Sequence, residues 1–152
     1  MCPIGYYVGI NAGSPTWSLC TGEPGAGNQG KAVYRDEVGR AWVRVAYTEI
    51  LGRSHGGISS YGYPVGIAGA ESGGFGIIWE SRGTLYVTRN GGRRWVGLPR
   101  VSDPELDFGG WASVLSRGVG FVILEQAGRT RLIETTDAGR TWRIVHRWAR
   151  TS

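Results

Sequence analysis

Apolar positions in this chain fall in short runs, each cut off after a few residues by glycine or a polar cluster. The first group is YYVGINA (6–12), TWSLCTG (16–22), KAVYRD (31–36) and AWVRVAYT (41–48). A second follows as PVGIAGA (64–70), FGIIWES (75–81), TLYVTRN (84–90) and RWVGLP (94–99). The third is WASVLS (111–116), VGFVILE (119–125), RLIETTD (131–137) and TWRIVHRW (141–148). Runs of this length bounded by turn formers predict strands, not helices. Each group is then a unit of four short strands, and the chain reads as all-β.

The units also share a register. Trp42, Trp95 and Trp142 stand 53 and 47 residues apart. Three residues before each comes a glycine (Gly39, Gly92, Gly139), and two before comes an arginine (Arg40, Arg93, Arg140). Five before stands Glu37, Asn90 or Asp137. Such recurrence marks a repeat protein. The chemistry of the repeated turn follows from its residues. An Asp or Asn side chain folds back to accept backbone N–H groups, and the glycine supplies the positive φ that reverses the chain. Thr135 and Thr141 can add hydroxyl bonds to the same knot, and the tryptophan opens the next strand with its indole over the turn.

Composition agrees. Glycine makes up 27 of 152 residues, well above the usual ~7%, as many tight turns require. With 41% hydrophobic and 19% charged residues, the chain is not of the disordered class. No apolar run approaches the roughly 18 residues of a membrane helix, and one domain, 1–152, is expected. The charge is +5, carried by sixteen arginines and the single Lys31. That balance can suit an anionic partner, but no Lys/Arg run appears, so nucleic acid is not the expected ligand. Cys2 and Cys20 lack metal-ligand spacing; either a buried thiol or a Cys2–Cys20 disulfide is open, the latter implying an oxidising compartment. No metal and no cofactor is expected.

TTDAGRTW (135–142) resembles the Asp-box, Ser/Thr-x-Asp-x-Gly-x-Thr-Trp. The second copy keeps Thr88, Asn90, Gly92 and Trp95 with Arg94 in the threonine column; the first retains Gly39 and Trp42 beside Arg35, Glu37 and Ala41. Across nearly its whole length the chain resembles the Asp-box, or bacterial neuraminidase repeat, β-propellers, a group holding sialidases, sortilin-type receptors and photosystem II assembly factors. The resemblance implies three four-stranded antiparallel blades at about 6–48, 64–99 and 111–148. It also makes extracytoplasmic placement an expectation, although no signal peptide is visible at the start of the sequence. On activity the motif is nearly silent.

By the same resemblance the Asp-box turns lie opposite the usual ligand face, which carries the loops after the second strands and the blade-to-blade connections. Each second strand ends on a glutamate: Glu23, Glu80 and Glu125. Together they could form an acidic ring for a cation or amine, or each could pair with Lys31, Arg82 or Arg129. The connection 52–64 adds Arg53, His55, Ser59, Ser60, Tyr61 and Tyr63, groups suited to sugar or peptide binding. Asp103, Glu105 and Asp107 could hold a metal weakly. GAGNQGKA (25–32) imitates a phosphate loop, but Ala32 replaces the Mg²⁺-binding hydroxyl and a strand follows where a helix is needed.

A non-catalytic module binding a protein or glycan on the loop face is therefore expected. The alternative is a sialidase-like glycosidase completed by oligomerisation, using Tyr61 or Tyr63. Three blades cannot close a ring of the four to eight blades propellers use. A homodimer with six blades, blade three of one copy on blade one of the other, is the expected closure; the alternative is that the sequence is a piece of a longer chain or docks on a different partner.

Overall fold

The computed structural model describes residues 6–11, 16–36, 41–71, 73–81, 84–98, 111–126 and 129–148. Thirteen strands are assigned there. They are β1 (Tyr6–Asn11), β2 (Thr16–Gly25), β3 (Asn28–Asp36), β4 (Val43–Thr48), β5 (Ser54–His55), β6 (Tyr63–Gly69), β7 (Gly76–Ser81), β8 (Tyr86–Thr88), β9 (Trp95–Gly97), β10 (Ala112–Val114), β11 (Gly120–Gln126), β12 (Arg129–Thr135) and β13 (Arg143–Trp148). They form three antiparallel sheets in sequence order: β1 to β5, β6 to β9 and β10 to β13. Each expected blade is present, and the first gains one short outer strand, because Ser54 and His55 fold back on Thr48 and Tyr47. No helix of the described residues is long and apolar enough to cross a membrane.

The sheets stack face to face, with the first strand of each innermost. β6 lies against β1 and β2 on one side and against β10 on the other. Alternation along a strand makes this possible, since successive side chains point to opposite faces. In β7, Ile78 enters a cluster with Trp17, Leu19, Val33 and Ala46 of the first blade, joined by Ile67, Tyr86 and Trp95. Its neighbours Ile77 and Trp79 enter a second cluster, with Phe75, Leu85, Val87, and Val122, Leu124 and Ile133 of the third blade. The middle blade is thus buried on both faces, which is why GIIWES reads as a continuous apolar run.

Close approach at these seams depends on two glycines. A side chain at Gly76 would sit 2.9 Å from the Trp17 ring, and one at Gly120 would sit 3.0 Å from Ile77 Cδ1. The turn tryptophans point back toward the preceding blade. Trp95 meets Trp17 edge to face at 5.5 Å, and Trp142 packs on the second cluster. Trp42 belongs to the first blade and stays 42% exposed.

An arginine crosses each seam in the other direction. Arg35 Nη1 donates to Gly91 O at 3.2 Å, and Arg89 Nε donates to Ala138 O at 2.8 Å. Arg35 is therefore the counterpart of Arg89, and not of Thr88 as spacing from the tryptophan implies. By the same match Asp36 follows Arg35 as Asn90 follows Arg89. Glu37 and Gly39 themselves lie outside the described residues.

The two open ends of the stack differ. On the rear face of the first blade, turned away from the second, Ser18, Cys20 and Ala32 are all buried, and Cys20 is disulfide-bonded; Cys2 lies outside the described residues.

Candidate functional site

Two ends of the blades carry different chemistry. At one end the repeated turns are hydrogen-bonded knots. In the third blade Thr135 Oγ1 accepts the Gly139 N–H at 2.8 Å and donates to Asp137 Oδ1 at 2.9 Å. That same Oδ1 accepts the N–H groups of Arg140 and Thr141, both at 2.9 Å, while Thr141 Oγ1 donates to Oδ2 at 2.7 Å. These bonds, led by the Thr141 N–H, hold the Asp137 carboxyl well below its ordinary range, as charged-acceptor bonds must. The second blade repeats the knot with an amide. Thr88 Oγ1 accepts the Gly92 N–H at 3.0 Å, and Asn90 Oδ1 accepts the Arg94 N–H at 2.9 Å. Gly92 and Gly139 have φ of 83° and 76°, the left-handed conformation that a glycine adopts without strain. In these two blades the Asp137 carboxylate and the Asn90 amide oxygen are consumed by the turns.

The opposite end holds the loops after the second strands and the connection from β5 to β6. That connection is tied down along its length. Gln29 N–H donates to Ser60 O at 2.8 Å, Gly62 N–H donates to Gly27 O at 3.0 Å, and Tyr63 Oη accepts the Gly27 N–H at 3.1 Å. Ser59 Oγ accepts the Tyr61 N–H, and Ser60 Oγ donates to Asn28 Oδ1. Beneath the connection lies Lys31. Its Nζ donates to Glu80 Oε1 at 2.6 Å, to Tyr61 O at 2.7 Å and to Ser59 O at 2.9 Å. An ammonium has three N–H bonds, and here each has an acceptor. Lysine suits this place where arginine would not, because its charge is compact and its three donors diverge. Both side chains of the pair are fully buried. Burial pushes the Glu80 carboxyl up to about 7 against the pull of Lys31, and burial lowers Lys31 in turn.

The glutamates at the strand ends therefore do not form one ring. Glu80 is withdrawn into the seam between the first two blades as the counter-ion of Lys31, whereas Glu23 and Glu125 are exposed. Of the connection's residues, Arg53 and His55 are exposed, Tyr61 is 55% exposed, and Tyr63 is half-buried with its hydroxyl engaged. Asp103, Glu105 and Asp107 lie outside the described residues, and among the described residues no group of three His, Cys, Asp or Glu is placed to hold a metal.

Beside this end, on the first blade, a cleft of about 340 Å³ opens. Ala32, Tyr47 and Ile50 give it an apolar wall, and Glu23, Glu49 and Arg44 bring charge of both signs. Arg44 Cζ lies 4.1 Å from the centre of the Tyr47 ring, a cation–π contact. The His55 ring runs nearly parallel to the same tyrosine at 6.2 Å. Glu49 Oε2 accepts the Arg53 N–H at 3.2 Å, which shapes the turn after β4. Of the expected ligand residues, Glu23 lines the cleft and His55 braces its tyrosine. Arg44 and Tyr47 on β4, and Glu49 and Ile50 in the turn after it, carry no motif that marks them in the sequence, since the strand's alternation looks like any other.

No family model matches the sequence. No curated protein matches it either. Among solved structures, one described as YCF48 bound to D1 peptide is similar over 94% of this chain, with a TM-score of 0.60 and 18% identity. This chain spans 41% of the length of that protein. At this identity the likeness is one of fold, and the fold is a β-propeller.

Proposed function

We propose that this chain is a non-catalytic, Asp-box-type propeller module that binds a segment of another protein at its loop-bearing end, with the cleft of the first blade as the seat. The carrying observation is the cleft itself. An aromatic and aliphatic wall beside two carboxylates and a guanidinium is a mixed surface of the kind that positions a peptide's side chains. The structural neighbour, bound to a peptide, supports a protein ligand over a glycan. The use of Ser59, Ser60 and Tyr63 in holding the connection supports binding over catalysis, since each hydroxyl already serves a backbone or side-chain partner. A second copy of the chain is proposed as a further partner.

The test is a peptide array followed by titration of the best binder. Tyr47→Ala and Glu23→Arg should each weaken binding about tenfold or more, as loss of a central anchor does. Equal binding by both variants and the parent would remove the cleft from consideration. Turnover of a fluorogenic sialoside, abolished by Tyr61→Phe, would replace the module with the glycosidase.

A further inference from the structure

We infer that the outward face of the third blade is a contact surface for a second copy of this chain, blade three against blade three about a two-fold axis. The repeat itself identifies the face. In the first two blades the residues turned toward the next blade are Leu19 and Val33, then Ile77 and Val87, and all four are fully buried. Strand pairing places Phe121 and Glu134 at the same positions in the third blade, since Leu19 pairs with Val33, Ile77 with Val87 and Phe121 with Glu134. Ile123 and Leu132 share that face. All of them are only half-buried, and Trp111 and Trp148 beside them are 73% and 44% exposed. A shallow apolar cleft of about 170 Å³ lies among Trp111, Ser113, Phe121, Ile123 and Leu132.

The occupant follows from the arrangement of charge. On a chain of +5, this face carries Glu125 and Glu134 beside Arg143 and so lacks the positive excess of the whole chain, and its one ion pair can be exchanged with that of a second copy. Glu134 Oε2 accepts from Arg143 Nη2 at 2.6 Å, and the guanidinium is largely exposed, leaving donors for a second carboxylate. A two-fold axis brings each Arg143 toward the Glu134 of the other copy, the self-complementarity an isologous contact needs. This inference is independent of the peptide-binding reading and uses none of its residues.

Light scattering after size exclusion, over a dilution series of the full chain, tests it. The expected species has twice the 16.4 kDa chain mass. Ile123→Glu should raise the dissociation constant about tenfold or more while thermal unfolding of the monomer stays cooperative. Trp42→Ser should leave the dimer intact. Should Ile123→Glu fail to fold, Arg143→Glu provides the same disruption at an exposed position, and Glu134→Arg combined with Arg143→Glu should restore the dimer. A folded parent that remains a monomer at every concentration overturns the inference. So does a dimer lost on Trp42→Ser and kept on Ile123→Glu, which would mark the rear face of the first blade as the contact.

Discussion

The second and third blades are built from the same strand pattern, yet one is enclosed on both faces and the other on one. At matched positions the second blade presents Ile77, Trp79, Leu85 and Val87, all buried, and the third presents Phe121, Ile123, Leu132 and Glu134, all half-exposed. The ion pairs differ in the same sense. Lys31–Glu80 is sealed between the first two blades with both side chains at zero exposure, whereas Arg143 in the Arg143–Glu134 pair is 72% exposed. The comparison shows that position within a stack, and not local sequence, sets what a residue is worth in a repeat fold. A leucine in a seam is core, and its equivalent on a terminal face is surface.

Substitutions in each blade test this difference. The largest effect is expected from Lys31→Met, which strands a buried carboxyl. Removing one partner of a buried pair costs about 3–5 kcal/mol, and the double variant Lys31→Met with Glu80→Leu should recover most of it in a urea denaturation series. If the single variant is as stable as the parent, the buried pair contributes nothing. Next, Ile77→Ala should cost about 2–5 kcal/mol as a fully buried truncation. Ile123→Ala, measured on the monomer, should cost about 1 kcal/mol, in proportion to the smaller area it buries. Equal losses would mean that the third blade is as enclosed as the second.

Gly120→Ala tests the seam directly, since the added methyl meets Ile77 at 3.0 Å and Phe75 at 3.2 Å. Overpacking of that kind costs about 1–3 kcal/mol, read as a lower urea midpoint with an unchanged slope. A smaller effect is expected from pH. Glu80 is raised from its ordinary 4.5 to about 7, so its contribution is greatest below 4.5 and is lost as pH rises through 7. Stability should fall across that window in the parent, and Glu80→Gln should flatten the slope. Smallest of all, Arg143→Met on the monomer should change stability by less than about 1 kcal/mol, the usual worth of an exposed pair.

Much of the architecture was legible because it is written in periodicity. Twelve short apolar runs in three groups, with a tryptophan near the start of the fourth of each, mark the four strands of each blade; the short fifth strand of the first, Ser54–His55, has no apolar run to show it. The turn chemistry was legible for a related reason. The bonds of Thr135, Asp137, Gly139 and Thr141 close within a few residues, so local sequence contains both partners of each. The crossing of Arg35 to Gly91, by contrast, is a contact between blades, and no local pattern in the sequence contains both of its partners.

What sequence could not determine is everything that depends on which blade stands next to which. Glu23, Glu80 and Glu125 all stand near the ends of second strands, but Glu80 follows its matched residue Ile77 by three positions and Glu125 follows Phe121 by four, so alternation turns those two to opposite faces. Glu80 is withdrawn from solvent because Lys31 of the preceding blade reaches it under a connection that Ser59 and Tyr61 thread overhead. The lone lysine among sixteen arginines was the one available hint, and its meaning needed three acceptors drawn from two distant segments. The cleft around Tyr47 and the open face around Phe121 are likewise products of stacking. A strand's own residues decide which way each side chain points, since alternation is a property of the backbone. Whether that direction leads to core, cleft or water is decided by the sheet it meets.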